Sequence, residues 1–250
     1  MLSRYSVLIM LLSFSTACHG GWFFSTSLSP SPRPSSNPTK KNTLTLLEAS
    51  KKNNIEEVKR AIDSKVNLDQ KGTNGLTALI WASFKNNTEI VQMLLDNGAD
   101  PNVSGKNGNT ALITASQSGR HQIVKLLLQS KANVNATTVN GASSLTFASA
   151  DGHLEVVRIL LDAKANVRQT VSNGYTSLML ASNNGQLEIV HALLGAGALV
   201  GAVGNDGKNA IQLARANNHT KIVDLLTDST MIDASLTAES VEEEITHNEM

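Results

Sequence analysis

The chain has 250 residues, and its 21 basic and 21 acidic side chains give a formal net charge of zero. This balance excludes the strong global field that attracts nucleic acid or an acidic lipid surface, so no nucleic-acid partner is predicted. Apolar residues make up 41% of the chain, which is enough for a folded core, and the single cysteine, Cys18, excludes an intramolecular disulfide.

The first 17 residues have the layout of a secretory signal peptide. Arg4 lies in a short positive start, an apolar run extends from Val7 to Phe14, and small residues occupy positions 15–17. The apolar run is shorter than the about 20 residues that a membrane-spanning helix needs. The sequence therefore predicts a signal peptide over residues 1–17.

Ser15-Thr16-Ala17-Cys18 also resembles the lipobox of bacterial lipoproteins, although Ser15 stands where the lipobox prefers Leu. In that family the cysteine is lipidated and becomes the mature N-terminus, so the resemblance implies lipidation at Cys18. The alternative is an ordinary signal peptide cut after Ala17, with an incidental free thiol.

Residues 18–42 are predicted to join this anchor cysteine to a folded domain through a tether. Residues 25–42 contain four of the five prolines and almost nothing that can be buried, a composition typical of an extended linker. We therefore expect an exported protein at the cell envelope, anchored by lipid to the outer membrane or cell surface. Full secretion is the alternative.

Beyond residue 43 the sequence repeats with a period of 33 residues. A period held this strictly is typical of stacked structural repeats. It is marked by glycines and alanines at fixed positions: Gly75, Gly108, Gly141, Gly174 and Gly207, and Ala82, Ala115, Ala148, Ala181 and Ala214.

The content of each unit resembles the ankyrin repeat. Asn74–Leu79 and Asn173–Leu178 are its clearest openings, and Asn97–Asn102 is its clearest close. The resemblance covers residues 43–227 and implies an all-α repeat solenoid of stacked helix-turn-helix repeats with turn fingers. It predicts six repeats, at 43–68, 69–101, 102–134, 135–167, 168–200 and 201–227.

The two terminal repeats are predicted to be caps, because polar residues replace apolar ones on the side that faces water. Residues 228–250 are acidic and are predicted to form a solvated, disordered tail, with a partner-binding segment as the alternative. Trp81 and Phe147 occupy positions that are normally internal, so both are predicted to be core residues.

Lysines replace glycine at three predicted helix ends. Gly98 and Gly197 close two of the second helices, whereas Lys65, Lys131 and Lys164 occupy the same repeat position elsewhere. A left-handed cap there would cost a non-glycine residue on the order of 1 kcal/mol.

No catalytic constellation is found, and no catalytic residue, metal site or cofactor is predicted. His153 and His219 occupy the repeat position where ankyrin-like proteins carry a structural histidine. No spacing of His, Cys and carboxylates suits a metal. The Gly-containing turn at 104–108 is not followed by the Lys-Ser/Thr pair of a phosphate-binding loop.

In ankyrin-like arrays the turn tips and the exposed side of each first helix form a concave surface that binds other proteins. Phe84 is expected to face solvent and Tyr175 to lie at a reachable tip, with packing against a neighbouring repeat as the alternative for both. By repeat position, the resemblance implies these partner-binding residues: Lys51, Lys52, Asn74, Leu76, Phe84, Lys85, Lys106, Asn107, Asn109, Gln117, Asn140, Asp151, Asn173, Tyr175, Asn183 and Asn184.

Together these features predict an exported, lipid-anchored monomer that binds another protein through the concave surface. A first alternative is a secreted effector of a host-associated bacterium that binds a host protein. A second, in a different class, is an enzyme or enzyme subunit.

Overall fold

The computed structural model describes residues 46–229. The predicted signal peptide, Cys18, the tether and nearly all of the acidic tail lie outside the described residues. Twelve helical segments lie within residues 46–229: α1 (46–51), α2 (Ile55–Asp63), α3 (Ala78–Phe84), α4 (Thr88–Asp96), α5 (Ala111–Gln117), α6 (His121–Gln129), α7 (Ser144–Asp151), α8 (Leu154–Asp162), α9 (Ser177–Asn183), α10 (Leu187–Gly195), α11 (Ala210–Ala216) and α12 (220–229).

The helices form two rows. Helices α3, α5, α7, α9 and α11 pack side by side in the first row, and α2, α4, α6, α8 and α10 pack side by side in the second. In each of the four inner repeats, the two helices also pack against each other. The predicted all-α solenoid of stacked helix-turn-helix repeats is therefore confirmed.

Small residues allow the first-row helices to approach closely. Ala82, Ala115, Ala148, Ala181 and Ala214 are all completely buried between neighbouring helices. The second-row helices supply larger residues such as Ile90, Val91 and Leu94, which are also fully buried. Each layer of the core is therefore shared by adjacent repeats, so neighbours stabilise each other.

Each first-row helix from α3 to α11 begins at a residue whose side-chain oxygen accepts a hydrogen bond from the backbone N–H three residues further on. Such N-caps satisfy one of the free donors at a helix start and contribute about 1 kcal/mol each. The five capping residues are Thr77, Thr110, Ser143, Thr176 and Asn209.

The three lysines at helix ends adopt the predicted left-handed backbone. Their φ angles are +51° for Lys65, +66° for Lys131 and +64° for Lys164, against +88° for Gly98 and +81° for Gly197. The prediction of a left-handed cap at all five positions is confirmed. The lysine positions therefore carry backbone strain that the glycine positions avoid.

Within residues 46–229, no helix combines the length and the apolar character that crossing a lipid bilayer requires. Strands are also absent from this range, where the only β-type pairing consists of isolated antiparallel bridges that close three turns: Thr137–Ser143, Thr170–Thr176 and Val203–Asn209.

Candidate functional site

The inner face of the array consists of the finger tips at 73–76, 106–109, 139–142, 172–175 and 205–208, together with the ends of the first-row helices. Its residues come from six successive repeats. Of the sixteen predicted binding residues, eleven are exposed: Lys51, Lys52, Asn74, Phe84, Lys85, Lys106, Asn107, Asn140, Asp151, Asn173 and Asn184. The other five are half-buried: Leu76, Asn109, Gln117, Tyr175 and Asn183.

Phe84 lies in a group of aromatic and basic side chains at the N-terminal end of this face. It is 42% exposed, and its ring meets that of Trp81 edge to face at a centroid distance of 6.1 Å. The Lys85 ammonium lies 5.6 Å from the Phe84 ring centre, and the Lys51 ammonium lies 5.6 Å from that of Trp81. These are cation–π distances, so the lysines and rings hold one another in place.

The prediction that Trp81 and Phe147 are core residues is wrong. Both are half-buried and lie on the first-row helices at the border of the inner face. Trp81 packs against the core on one side, whereas its other side contacts Phe84 and Lys51. The repeat position is therefore a border between core and surface, and the contribution of Trp81 to the candidate site was not predicted from the sequence.

Tyr175 is less accessible than its place at a finger tip predicts. Its side chain is half-buried and packs against the core cluster, and its hydroxyl donates a 2.8 Å hydrogen bond to Oδ2 of Asp206 in the next finger. The expectation of a freely reachable ring is therefore corrected. Packing against the neighbouring repeat, the alternative reading, describes Tyr175.

Leu76, at the tip of the first finger, faces a glycine of the next finger, as Tyr175 does. A Cβ atom at Gly105 would lie 2.9 Å from Cδ2 of Leu76, and one at Gly204 would lie 2.5 Å from Cε1 of Tyr175. Both glycines are buried. A large tip residue is thus accommodated because the next finger has no side chain at the facing position.

Backbone hydrogen bonds join successive fingers. The amides of Val139, Ser172 and Asn205 donate to the carbonyl oxygens of Asn107, Asn140 and Asn173 at 2.9–3.0 Å. Lys106 instead donates from Nζ to the carbonyl oxygen of Thr73 at 2.9 Å. The backbone carbonyls of Asn107, Asn140 and Asn173 are therefore structural, and all three residues are exposed.

Asparagines dominate the C-terminal half of the inner face and bond to one another. The side-chain amide of Asn184 donates to the Ala150 carbonyl at 2.8 Å, and the side-chain amide of Asn217 donates to Oδ1 of Asn183 at 3.0 Å. The Asn183 amide in turn donates to Oδ1 of Asn184 at 2.9 Å. This half of the face presents ordered polar groups, in contrast to the aromatic and basic N-terminal end.

Asp151 is the acidic residue predicted in the middle of the inner face. Partial burial of its carboxyl group raises its pKa above the usual value of 3.8, and nearby His153 opposes that shift, although the residue is exposed as a whole. A carboxylate that loses hydration without gaining a strong partner offers a site for a basic or hydrogen-bonding group of a ligand.

The two structural histidines join neighbouring repeats. Nε2 of His153 donates to the Gln117 carbonyl at 3.0 Å, and Nε2 of His219 donates to the Asn183 carbonyl at 3.2 Å. Their rings fill the space beside Gly119 and Gly185, where a Cβ atom would approach within 2.7 Å and 2.6 Å. The predicted structural role is confirmed, and the bonds run between repeats.

Across the part of the chain that the structure describes, no three or more His, Cys, Asp or Glu residues come together in a way that could hold a metal ion. Three large apolar side chains besides Phe84 are exposed there, and one of them, Val139, lies at a finger tip of the inner face. They are Val139, Leu199 and Val203.

Comparison with known proteins identifies the repeats. The family model described as Ankyrin repeats (3 copies) matches four overlapping stretches, 31–104, 46–138, 100–171 and 145–238, which together cover most of the chain. A search of curated proteins found no match. Ankyrin repeats generally bind other proteins as scaffolds and typically are not enzymes. The helix pairs, the turn fingers and the family match agree, so the chain belongs to the ankyrin-repeat family.

Proposed function

We propose that this protein is a scaffold that recognises a partner protein through its inner face. The observation that supports the proposal is the exposure of Phe84, an aromatic side chain held on a rigid helix row between Trp81 and Lys85. Exposed aromatic residues surrounded by polar groups are frequent binding hot spots. A preformed surface also loses little conformational entropy when it binds.

The proposal is tested by comparing two variants that each remove one exposed apolar side chain. Phe84→Ser changes the inner face, whereas Leu199→Ser changes a residue on a loop outside it. The two side chains are similarly exposed, Phe84 at 42% and Leu199 at 52%. Partners are captured by the wild type, and their dissociation constants are measured with all three proteins. We expect Phe84→Ser to weaken binding by at least about tenfold and Leu199→Ser to leave it unchanged.

Equal binding by both variants would contradict recognition through the inner face. Thermal unfolding of each variant is the control for stability. Because Phe84 is only partly buried, its truncation should cost far less than the about 3–5 kcal/mol of a buried aromatic residue. A loss of binding without a loss of folded protein then reports on the surface.

We also propose that the protein is exported and anchored by lipid at Cys18. The support is sequence-based: the apolar run, the small residues at 15–17, the lone cysteine and the proline-rich tether. Several acyl chains at one site would anchor stably, because a single chain gives only marginal membrane affinity. The alternative is a secreted effector of a host-associated bacterium that acts on a host protein.

The anchor is tested by the intact mass of the mature protein in separated membrane and soluble fractions. A membrane form that starts at Cys18 and carries the added mass of several acyl chains is expected. A soluble form that starts at Cys18 without added mass would favour the secreted effector. A chain that retains Met1 would contradict export in either form.

A further inference from the structure

The N-terminal end of the inner face carries a cluster that we call the aromatic–lysine cluster, formed by Lys51, Lys52, Trp81, Phe84 and Lys85. Its three lysines are exposed. Lys52 and Lys85 form no ion pair with a described residue, and Lys51 reaches only Glu48 at 3.9 Å. The cluster therefore combines unneutralised positive charge with exposed aromatic surface.

A ligand that matches this surface carries carboxylates spaced by apolar side chains. Carboxylates would replace water around the lysines, and apolar groups would cover the Phe84 and Trp81 rings. Glu48 beside Lys51, and Asp151 further along the first-row helices, are the acidic groups that face such a ligand. Glu48 is paired with Lys51 at 3.9 Å, and Asp151 lies two repeats beyond the cluster, so neither places an unpaired negative charge at its centre.

One segment of this chain has that chemistry. Residues 230–250 contain no Lys or Arg, and the apolar residues Leu236, Val241 and Ile245 alternate with six acidic residues: Asp233, Glu239, Glu242, Glu243, Glu244 and Glu249. We propose that residues 230–250 dock on the aromatic–lysine cluster of their own chain. The proposal rests on the proposed function only in using the same inner face, and it predicts that the docked segment competes with the partner.

The segment is long enough to reach the cluster. An extended chain covers about 3.3 Å per residue, so residues 230–250 span about 70 Å. The cluster lies about four helix-to-helix steps from the last repeat, and each step is about 10 Å, which gives about 40 Å. Because the segment is tethered, its effective concentration at the cluster is on the order of millimolar, so a weak contact suffices for docking.

The test uses the indole N–H signal of Trp81 in a nitrogen-15 NMR spectrum of the full chain. The chain has two tryptophans, Trp22 and Trp81, and a Trp81→Phe variant identifies which of the two indole signals belongs to Trp81. A spin label is attached to Thr246→Cys in a Cys18→Ser background, and signal intensities are compared with the label oxidised and reduced. A docked segment should reduce the Trp81 intensity at least about twofold.

Electrostatic docking predicts that the Trp81 signal recovers when Glu242, Glu243 and Glu244 are changed to Gln, or when salt is raised to about 0.5 M. A matched control removes three negative charges from the second-row helices instead, with Asp63→Asn, Asp162→Asn and Glu188→Gln. This control should keep the Trp81 signal weak. An unaffected Trp81 signal in the labelled chain, or one that stays weak after the three tail substitutions, would overturn the proposal.

A mixed sample identifies which chain supplies the segment. Isotope-labelled protein without a spin label is mixed with spin-labelled protein without the isotope, and the Trp81 signal should then be unchanged. A weakened signal in the mixture would assign the segment to a second copy and overturn docking within one chain. Partner binding is measured separately by the Phe84→Ser and Leu199→Ser comparison, so either proposal can fail while the other stands.

Discussion

Tyr175 and Asp206 lie 31 residues apart in sequence and are joined by a hydrogen bond of 2.8 Å between successive fingers. The ring of Tyr175 covers Gly204, and its hydroxyl reaches the finger tip where Asp206 also forms an ion pair of 3.3 Å with Lys208. A residue at the place where ankyrin-like arrays contact partners therefore also stabilises the contact between two repeats.

Gly204→Ala should destabilise the array, because its Cβ would lie 2.5 Å from Cε1 of Tyr175 and 2.6 Å from Cδ1. An aromatic ring held by a hydrogen bond cannot move away freely, so the expected loss is about 1–3 kcal/mol of unfolding free energy. The measurement is urea unfolding. Gly201→Ala is the matched control, since a Cβ there has no atom within 4 Å.

At the repeat position of Gly204, the middle repeats carry Thr138 and Val171. The tip residues of the preceding fingers, at the repeat position of Tyr175, are Asn109 and Ala142. Tyr175→Ala combined with Gly204→Val reproduces the small-tip pairing of Ala142 and Val171. We expect the double variant to be more stable than Gly204→Val alone by more than about 1 kcal/mol. Simple additivity of the two changes would contradict this account of the finger contact.

The Tyr175 hydroxyl also controls the ionisation of Asp206. Its hydrogen bond is the main cause that lowers the Asp206 pKa below the usual 3.8, and the bonds from Lys208 add to the effect. A lowered folded-state pKa contributes stability above the unfolded pKa of about 3.9, and this stability is lost as pH falls through the folded value. Tyr175→Phe should therefore raise the Asp206 pKa, measured by carbon-13 NMR of the carboxyl. An unchanged titration midpoint would show that the bond is not formed in solution.

The lysine caps predict a stabilising substitution. Lys164→Gly should stabilise the protein by about 0.5–1 kcal/mol, because relief of the left-handed strain exceeds the extra flexibility of glycine in the unfolded chain. The reciprocal Gly98→Lys should destabilise by a similar amount, since its φ is +88° and a side chain there meets no other atom. Thermal unfolding measures both variants. A change of stability in the same direction for both would contradict the strain argument.

Asparagine side chains join the loops that follow the second-row helices. Oδ1 of Asn102 accepts from the backbone N–H of Asn133 at 2.7 Å, and Oδ1 of Asn135 accepts from the backbone N–H of Asn166 at 2.8 Å. Asn135→Ala should cost about 1 kcal/mol of unfolding free energy, because the Asn166 amide loses its acceptor. Arg168 occupies the equivalent position in the next repeat, and its guanidinium cannot accept a hydrogen bond from the backbone amide of Leu199, so Arg168→Ala is the control.

The sequence predicts the fold well because one pattern is repeated at a fixed period. Buried alanines, capping threonines and left-handed helix ends all recur at that period, so each position in one repeat supports the interpretation of the others. The surface is less predictable, because exposure depends on the size of a residue in the next repeat. Tyr175 and Leu76 are half-buried because glycines face them, and Trp81 is partly exposed although its repeat position suggests core.

The most direct test of inner-face recognition is photocrosslinking in intact cells. A photoreactive phenylalanine analogue replaces Phe84 in one strain and Leu199, an exposed apolar residue off the inner face, in another. We predict a crosslinked partner band from position 84 that is absent from position 199. A band from position 199 with none from position 84 would contradict recognition through the inner face.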